Sequence, residues 1–297
     1  MQLAFLRGTF WLLSILQLSS PAAVPNFSTG IIGLSLQERP LRYYRFGNGD
    51  VPLAVVATIH AGYEANTADA VHGLIQYYSN NPEELDKDLS LYLVPNINPD
   101  GKLLETRHNA NAVDLNRNWD TPDWMKDIPG IWSLLRGEGG SHPFSEPESR
   151  GLRDFLLRVQ QEHPWYQTSI IFLHSLRVPR TEMGRSPQGL VQPAYKKTGD
   201  ERRLQQASLQ AADVFADAGG YIRIESWIGD YPTPGEAIHW AALNGMIAFD
   251  VEFPVAEPLT PAVPQGNRYF SGFFSGIQSL LQELRVLASL QPPLPAE

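Results

Sequence analysis

The chain has 297 residues, of which 43 % are hydrophobic, 19 % charged and 10 % aromatic. That is enough apolar surface for a large core, and it excludes disordered, collagen-like and coiled-coil classes. A formal net charge of −9 without any Lys/Arg cluster argues against a nucleic-acid partner, and the absence of Cys leaves only His and carboxylate groups to hold a metal.

At the amino end, Arg7 precedes the apolar run FWLLSILQL over 10–18, which is followed by Ser19, Ser20, Ala22 and Ala23. This reads as a secretory signal peptide over 1–22, too short to span a membrane, which places the protein in the periplasm, cell envelope or medium with no stable membrane insertion after its removal. Residues 23–297 lack a linker, charge block or repeat and are expected to form one domain. Apolar, β-branched runs over 53–59, 89–94, 169–173, 221–224 and 246–251 predict buried strands. Helical patterns cover 67–78, a segment opened by the capping box Ser145-Glu146-Pro147-Glu148, 201–218 and 269–290. The alternation implies an α/β fold, a mostly parallel mixed sheet flanked by helices on both faces. In such a sheet, chemistry gathers beyond the carboxyl ends of the strands. The Pro/Gly-rich stretches 121–142 and 177–192 are long enough to rim a pocket.

The strand ends carry the chemistry. The first closes on His60, with Glu64 four residues on, and Ala61 and Gly62 between them allow a tight turn. Taken alone, a His-x-x-x-Glu pair is more often an ion pair or a core histidine. A second strand, however, ends in His174-Ser175, so two strands deliver His to one sheet edge. Two His and one Glu leave a coordination position for water, the arrangement of a hydrolytic zinc site. Between them lies a loop dense in Asn, Asp and Arg, where Asn116 and Arg117 make a fork suited to a carboxylate. The last strand ends in Glu252, placed to act as a general base. Ahead of it, Tyr231-Pro232-Thr233-Pro234-Gly235-Glu236-Ala237-Ile238-His239-Trp240 presents a Tyr hydroxyl from a Pro/Gly loop.

These pieces, in this order from His60 to Glu252, resemble the zinc carboxypeptidases of the carboxypeptidase A family, above all through Val113-Asp114-Leu115-Asn116-Arg117-Asn118-Trp119. The resemblance implies one zinc bound by His60, Glu64 and His174, with a metal-bound water activated by Glu252. It also implies that Arg107 stabilises the oxyanion, that Asn116 and Arg117 hold the substrate's terminal carboxylate, and that Tyr231 closes over the substrate. Two departures stand out: three residues rather than two separate His60 from Glu64, and Ala112 stands where Gly is commoner.

By the same resemblance, Ile238 lies at the floor of the specificity pocket and implies an apolar surface, while nearby Glu236 could meet a substrate ammonium. The plan resembles bacterial members such as the murein peptide amidases, so the expected partner is a peptide or muropeptide with a free C-terminal carboxylate. The alternatives are a zinc deacylase of the aspartoacylase or desuccinylase type and an inactive binding protein on the same scaffold.

Overall fold

The computed structural model describes residues 27–130, 133–175, 188–198, 201–226, 232–255, 257–259 and 267–290. The segment read as a signal peptide, most of the 177–192 stretch and Tyr231 lie outside the described residues. Strands β1 (Phe27–Leu34), β2 (Pro40–Phe46) and β3 (Val51–Val56) lead to helix α1 (Thr67–Asn80). Next come β4 (Leu89–Val94), the short helix α2 (Pro99–Leu103), the two-residue strands β5 (Ile128–Pro129) and β6 (Leu134–Leu135), and α3 (Pro147–Glu162). Strands β7 (Ser169–Ser175), β8 (Leu190–Pro193), β9 (Tyr195–Thr198) and β10 (Glu201–Leu204) precede α4 (Gln206–Gly219). The order closes with β11 (Ile222–Arg223), α5 (Ala237–Leu243), β12 (Ile247–Phe253) and α6 (Arg268–Leu290).

One eight-stranded sheet, ordered β1-β2-β4-β3-β7-β12-β8-β11, organises this single α/β domain. Its centre, β4-β3-β7-β12, is parallel, and antiparallel pairings join it to β2 on one side and β8 on the other. The central strands are mostly apolar and buried along their whole length because both faces are covered. Leu53, Val55, Ile171, Leu173, Phe249, Val251 and Phe253 pack with side chains of α1, α4 and α6. Ala54, Val56, Ile170, Phe172 and Ala248 pack with α3, α5 and Trp119. By the two-residue period of a strand, Asp250, Glu252 and His174 belong to this second face and crown it at the carboxyl edge.

Several local expectations are corrected. The first strand ends at Val56 rather than at 59, because Thr58 takes a left-handed backbone (φ 55°) held by Thr67 Oγ1 on its N–H. Residues 201–204 are not the start of a helix but a strand paired with β9, and the helix begins at Gln206. The 221–224 strand shrinks to Ile222–Arg223 at the sheet edge. The Ser145 capping box does not form: Glu146 is the N-cap of α3, while Glu148 accepts instead from Leu36 N and Asn109 Nδ2.

Candidate metal centre and active site

Beyond β3 the chain passes His60 and turns at Gly62, whose φ of +60° favours glycine. A 3-10 turn, Gly62–Glu64, then swings the Glu64 carboxylate back. This turn absorbs the additional residue between His60 and Glu64. His60 Nδ1 lies 3.1 Å from Glu64 Oε2. His174, near the end of β7, brings its Nδ1 to 3.1 Å from His60 Nδ1 and 3.3 Å from Glu64 Oε2. All three residues are buried, and their ligand atoms lie within 4.8 Å of one another.

The tautomer of His60 follows from its neighbours. Asp114 accepts from Arg107 Nε at 3.1 Å and from Asn116 N at 2.8 Å, so it is an anionic acceptor. His60 Nε2, 2.9 Å from Asp114 Oδ1, therefore carries the proton and leaves the Nδ1 lone pair facing the centre. Glu64 Oε1 accepts from Arg107 Nη1 at 2.7 Å, and Oε2 accepts from Ser175 N at 3.2 Å while facing the two imidazoles. Two ring nitrogens and a carboxylate oxygen thus converge, a donor set that suits a cation. The charges agree. Burial opposes a charge on His174, but Asp250 and Glu64 overcome it and raise the pKa well above the ordinary imidazole value, so positive charge is wanted there.

The acids divide into two groups. Burial works against ionisation of Glu64 and Asp114, yet His60 and Arg107 hold both well below the usual carboxylate range. Burial pushes Glu252 well above that range despite His174, with Glu64 and Asp250 adding repulsion, and it pushes Asp250 up to about 6. Neighbouring carboxyls driven apart in this way are the pattern of a site that needs one anion for binding and one group for proton transfer.

Arg107, Arg117 and Asp114 line a cleft of about 390 Å³ together with Tyr63 and Pro232. Residues Ile128, Pro129, Gly130, Ser133 and Leu135 form its other wall, so the 121–142 stretch is a pocket rim as expected. Arg117 is only 4 % exposed, and its Nη1 donates to Asn116 O. Asn116 Oδ1 accepts the N–H of Ala237 at 2.9 Å, docking the start of α5 onto the Asn116-Arg117 segment. Ile238 is wholly buried in the apolar cluster on that side. Glu236 is also buried, and its Oε2 accepts from Tyr195 OH at 2.7 Å and Thr233 Oγ1 at 3.0 Å. Ala112 has a φ of 58°, so the residue at this unusual position does sit in glycine's conformation.

Much of the Asn-rich loop is bracing. Asn109 and Asn111 donate to Glu146, and Asn118 ties Gly139 and His142 to the start of α3. Two residues escaped assignment from sequence: Asp114, which holds His60, and Asp250, 3.6 Å from His174 Nε2. The signal for Asp250 was an acid two residues before Glu252 in an apolar strand, hence on the same face.

Fold and candidate site together define an α/β protein that carries a clustered His–Glu–His set at the carboxyl edge of its central sheet. The zinc carboxypeptidase family matches residues 20–270, and the chain belongs to that family. It is 32 % identical over 152 residues to bacteriocin BCN5 of Clostridium perfringens, covering 46 % of this chain and 16 % of that protein. It is 38 % identical over 71 residues to murein peptide amidase A of Escherichia coli K12, covering 22 % of this chain and 29 % of that protein. The chain thus spans less than a third of these relatives' lengths. The fold is shared with carboxypeptidase A of Helicoverpa armigera, with a TM-score of 0.68 at 19 % identity over 90 % of this chain and 70 % of that one.

Proposed function

We propose that the chain is a zinc carboxypeptidase that releases the C-terminal residue of a peptide, with a muropeptide as the favoured substrate. The observation that carries this reading is the convergence of His60 Nδ1, Glu64 Oε2 and His174 Nδ1 beside a cleft walled by Arg107 and Arg117. His60, Glu64 and His174 would hold one zinc ion, which when bound supplies Lewis-acid activation of water and of the scissile carbonyl. Arg117 with Asn116 binds the terminal carboxylate and fixes the last peptide bond near the centre. Arg107 stabilises negative charge on the carbonyl oxygen. Glu252 takes a proton from the attacking water and delivers it to the leaving amine, so the peptide bond and one water become an acid and an amine. Tyr231 closes over the substrate, and Ile238 and Glu236 shape the pocket for the leaving residue.

The likeness to murein peptide amidase A supports the muropeptide reading. The apolar segment over 10–18 supports export, with residues 1–22 removed and 23–297 as the catalytic domain. Among the described residues, no helix is long and apolar enough to cross a membrane. The test is mass spectrometry of products from a panel of peptides, their C-terminal amides and muropeptides incubated with the zinc-loaded protein. Release of the last residue from free acids is the expected result. Equal cleavage of free acids and amides would replace this reading with an endo-acting amidase or a deacylase.

A further inference from the structure

Beside the metal centre, His174 Nε2 and both carboxylate oxygens of Asp250 have no hydrogen-bond partner among the described residues. They are buried, and Nε2 lies 3.6 Å from Asp250 Oδ1. The placement follows from strand register: β12 runs parallel to β7 with Glu252 opposite His174 and Asp250 opposite Phe172, so Asp250 is the diagonal neighbour of His174 on the same face. Across β8, Asp250 faces Gln192, which is fully buried and whose amide nitrogen and oxygen are likewise without partners. Leaving a carboxylate without a hydrogen bond in the centre of a sheet is costly, so the arrangement implies that something completes it.

The other half of the centre shows the completed form. His60 turns Nδ1 inward and gives Nε2–H to the buried Asp114 at 2.9 Å. His174 has the same layout, with Nδ1 inward and Nε2 toward a buried acid, but with that contact open by about 0.7 Å relative to an ordinary N–H···O length. On the zinc reading above, we infer that Asp250 is the positioning carboxylate of His174: it accepts the Nε2–H and so aims Nδ1 at the ion. An acid in this place fixes the ring's tautomer and orientation and raises its basicity as a ligand. The centre then has two equivalent histidine–carboxylate arms rather than one. This also accounts for a second buried acid beside Glu252 in a strand whose other residues are apolar, one that no step of the proposed hydrolysis uses.

The test measures zinc affinity rather than turnover. The full chain, its Asp250→Asn and Asp250→Ala variants, and Asp114→Asn as comparator are titrated with zinc against a chromophoric chelator. Thermal unfolding of each metal-free form and the visible spectrum of each cobalt-substituted form are recorded alongside. Asp250→Ala is expected to bind zinc about 10- to 100-fold more weakly. Asp250→Asn, which keeps an acceptor oxygen but not the charge, is expected to lose less, and both should alter the cobalt spectrum. The metal-free variants lose the acid that faces His174 and are expected to be no more stable than wild type, so stability alone does not discriminate. A merely structural acid would show lower stability with unchanged zinc affinity and an unchanged cobalt spectrum. Zinc affinities within about twofold of wild type in both variants, or a lost preference for one class of C-terminal residue with zinc binding intact, would overturn the inference and leave the zinc reading standing. A wild type that binds no zinc would overturn both.

Discussion

Replacing Glu252 by Gln exchanges a buried carboxyl group for an amide of nearly the same volume, in a strand paired on both sides. No cavity opens, and packing alone should change stability by no more than about 0.5 kcal/mol. The chemistry is a different matter, because Gln cannot take a proton from water. Losing a general acid–base group costs about 10²- to 10⁴-fold in kcat, equivalent to about 3–5.5 kcal/mol of barrier, while zinc content and KM should stay close to wild type. Stability of the metal-free protein should move the other way. The folded-state pKa of Glu252 lies well above the ordinary glutamate range, because burial disfavours its anion and Glu64 and Asp250 repel it. Between the unfolded and folded values the native state binds more protons, so this group makes stability fall as pH rises through that window. Glu252→Gln removes that slope, and the metal-free variant should unfold at a higher temperature than wild type at pH 7, with the advantage fading below about pH 4.5. The assays are steady-state kinetics with zinc analysis, and thermal unfolding of the metal-free proteins from pH 4 to 8. Near-normal kcat in the variant, or a metal-free variant less stable than wild type at pH 7, would refute the reasoning.

Other consequences can be checked separately. Arg117→Ala should lower kcat/KM on free-acid peptides by about 10- to 150-fold, the equivalent of the 1.5–3 kcal/mol of a hydrogen bond to a charged group, and should erase discrimination against C-terminal amides. His174→Ala should lose stoichiometric zinc, as measured by elemental analysis, and chelation of the wild type should stop turnover until zinc is restored. Ala112→Gly should relieve about 1–2 kcal/mol of left-handed backbone strain against about 0.4–1 kcal/mol of added unfolded-state entropy, which raises the melting temperature by about 1–4 °C with activity unchanged.

What could be read from the sequence follows the range of the forces involved. Residues 89–94 form the predicted strand with the same bounds, because a short run of Leu, Tyr and Val interrupted only by Ser90, buried on both faces, has few other outcomes. His60, His174 and Glu252 were legible because each stands at or just past the end of such a run. The hairpin of β1 and β2 was not, since β1 is largely exposed and carries no continuous apolar signal. Residues 201–204 looked like the front of a helix, but their pairing with β9 is a tertiary preference that composition does not encode. Asp114 and Asp250 stand in plain sight within recognised segments. What they do depends on His60 and His174, which are 54 and 76 residues away in the chain and meet them only after the sheet has assembled.

The strand order also constrains the order of events during synthesis. β12 lies between β7 and β8, so β8 and its neighbour β11, although made earlier, have no place in the sheet until residues 247–253 arrive. A nascent chain that has not yet produced β12 holds a sheet ending at β7, with one flank of His174 bare and neither Asp250 nor Glu252 yet present. His60, Glu64, His174 and Asp114 can meet before then, but Asp250 and Glu252 arrive with the last strand among the described residues. Metal capture ahead of that point would occur in an incomplete socket, and on the proposed reading hydrolysis would wait until residues 247–253 have been made.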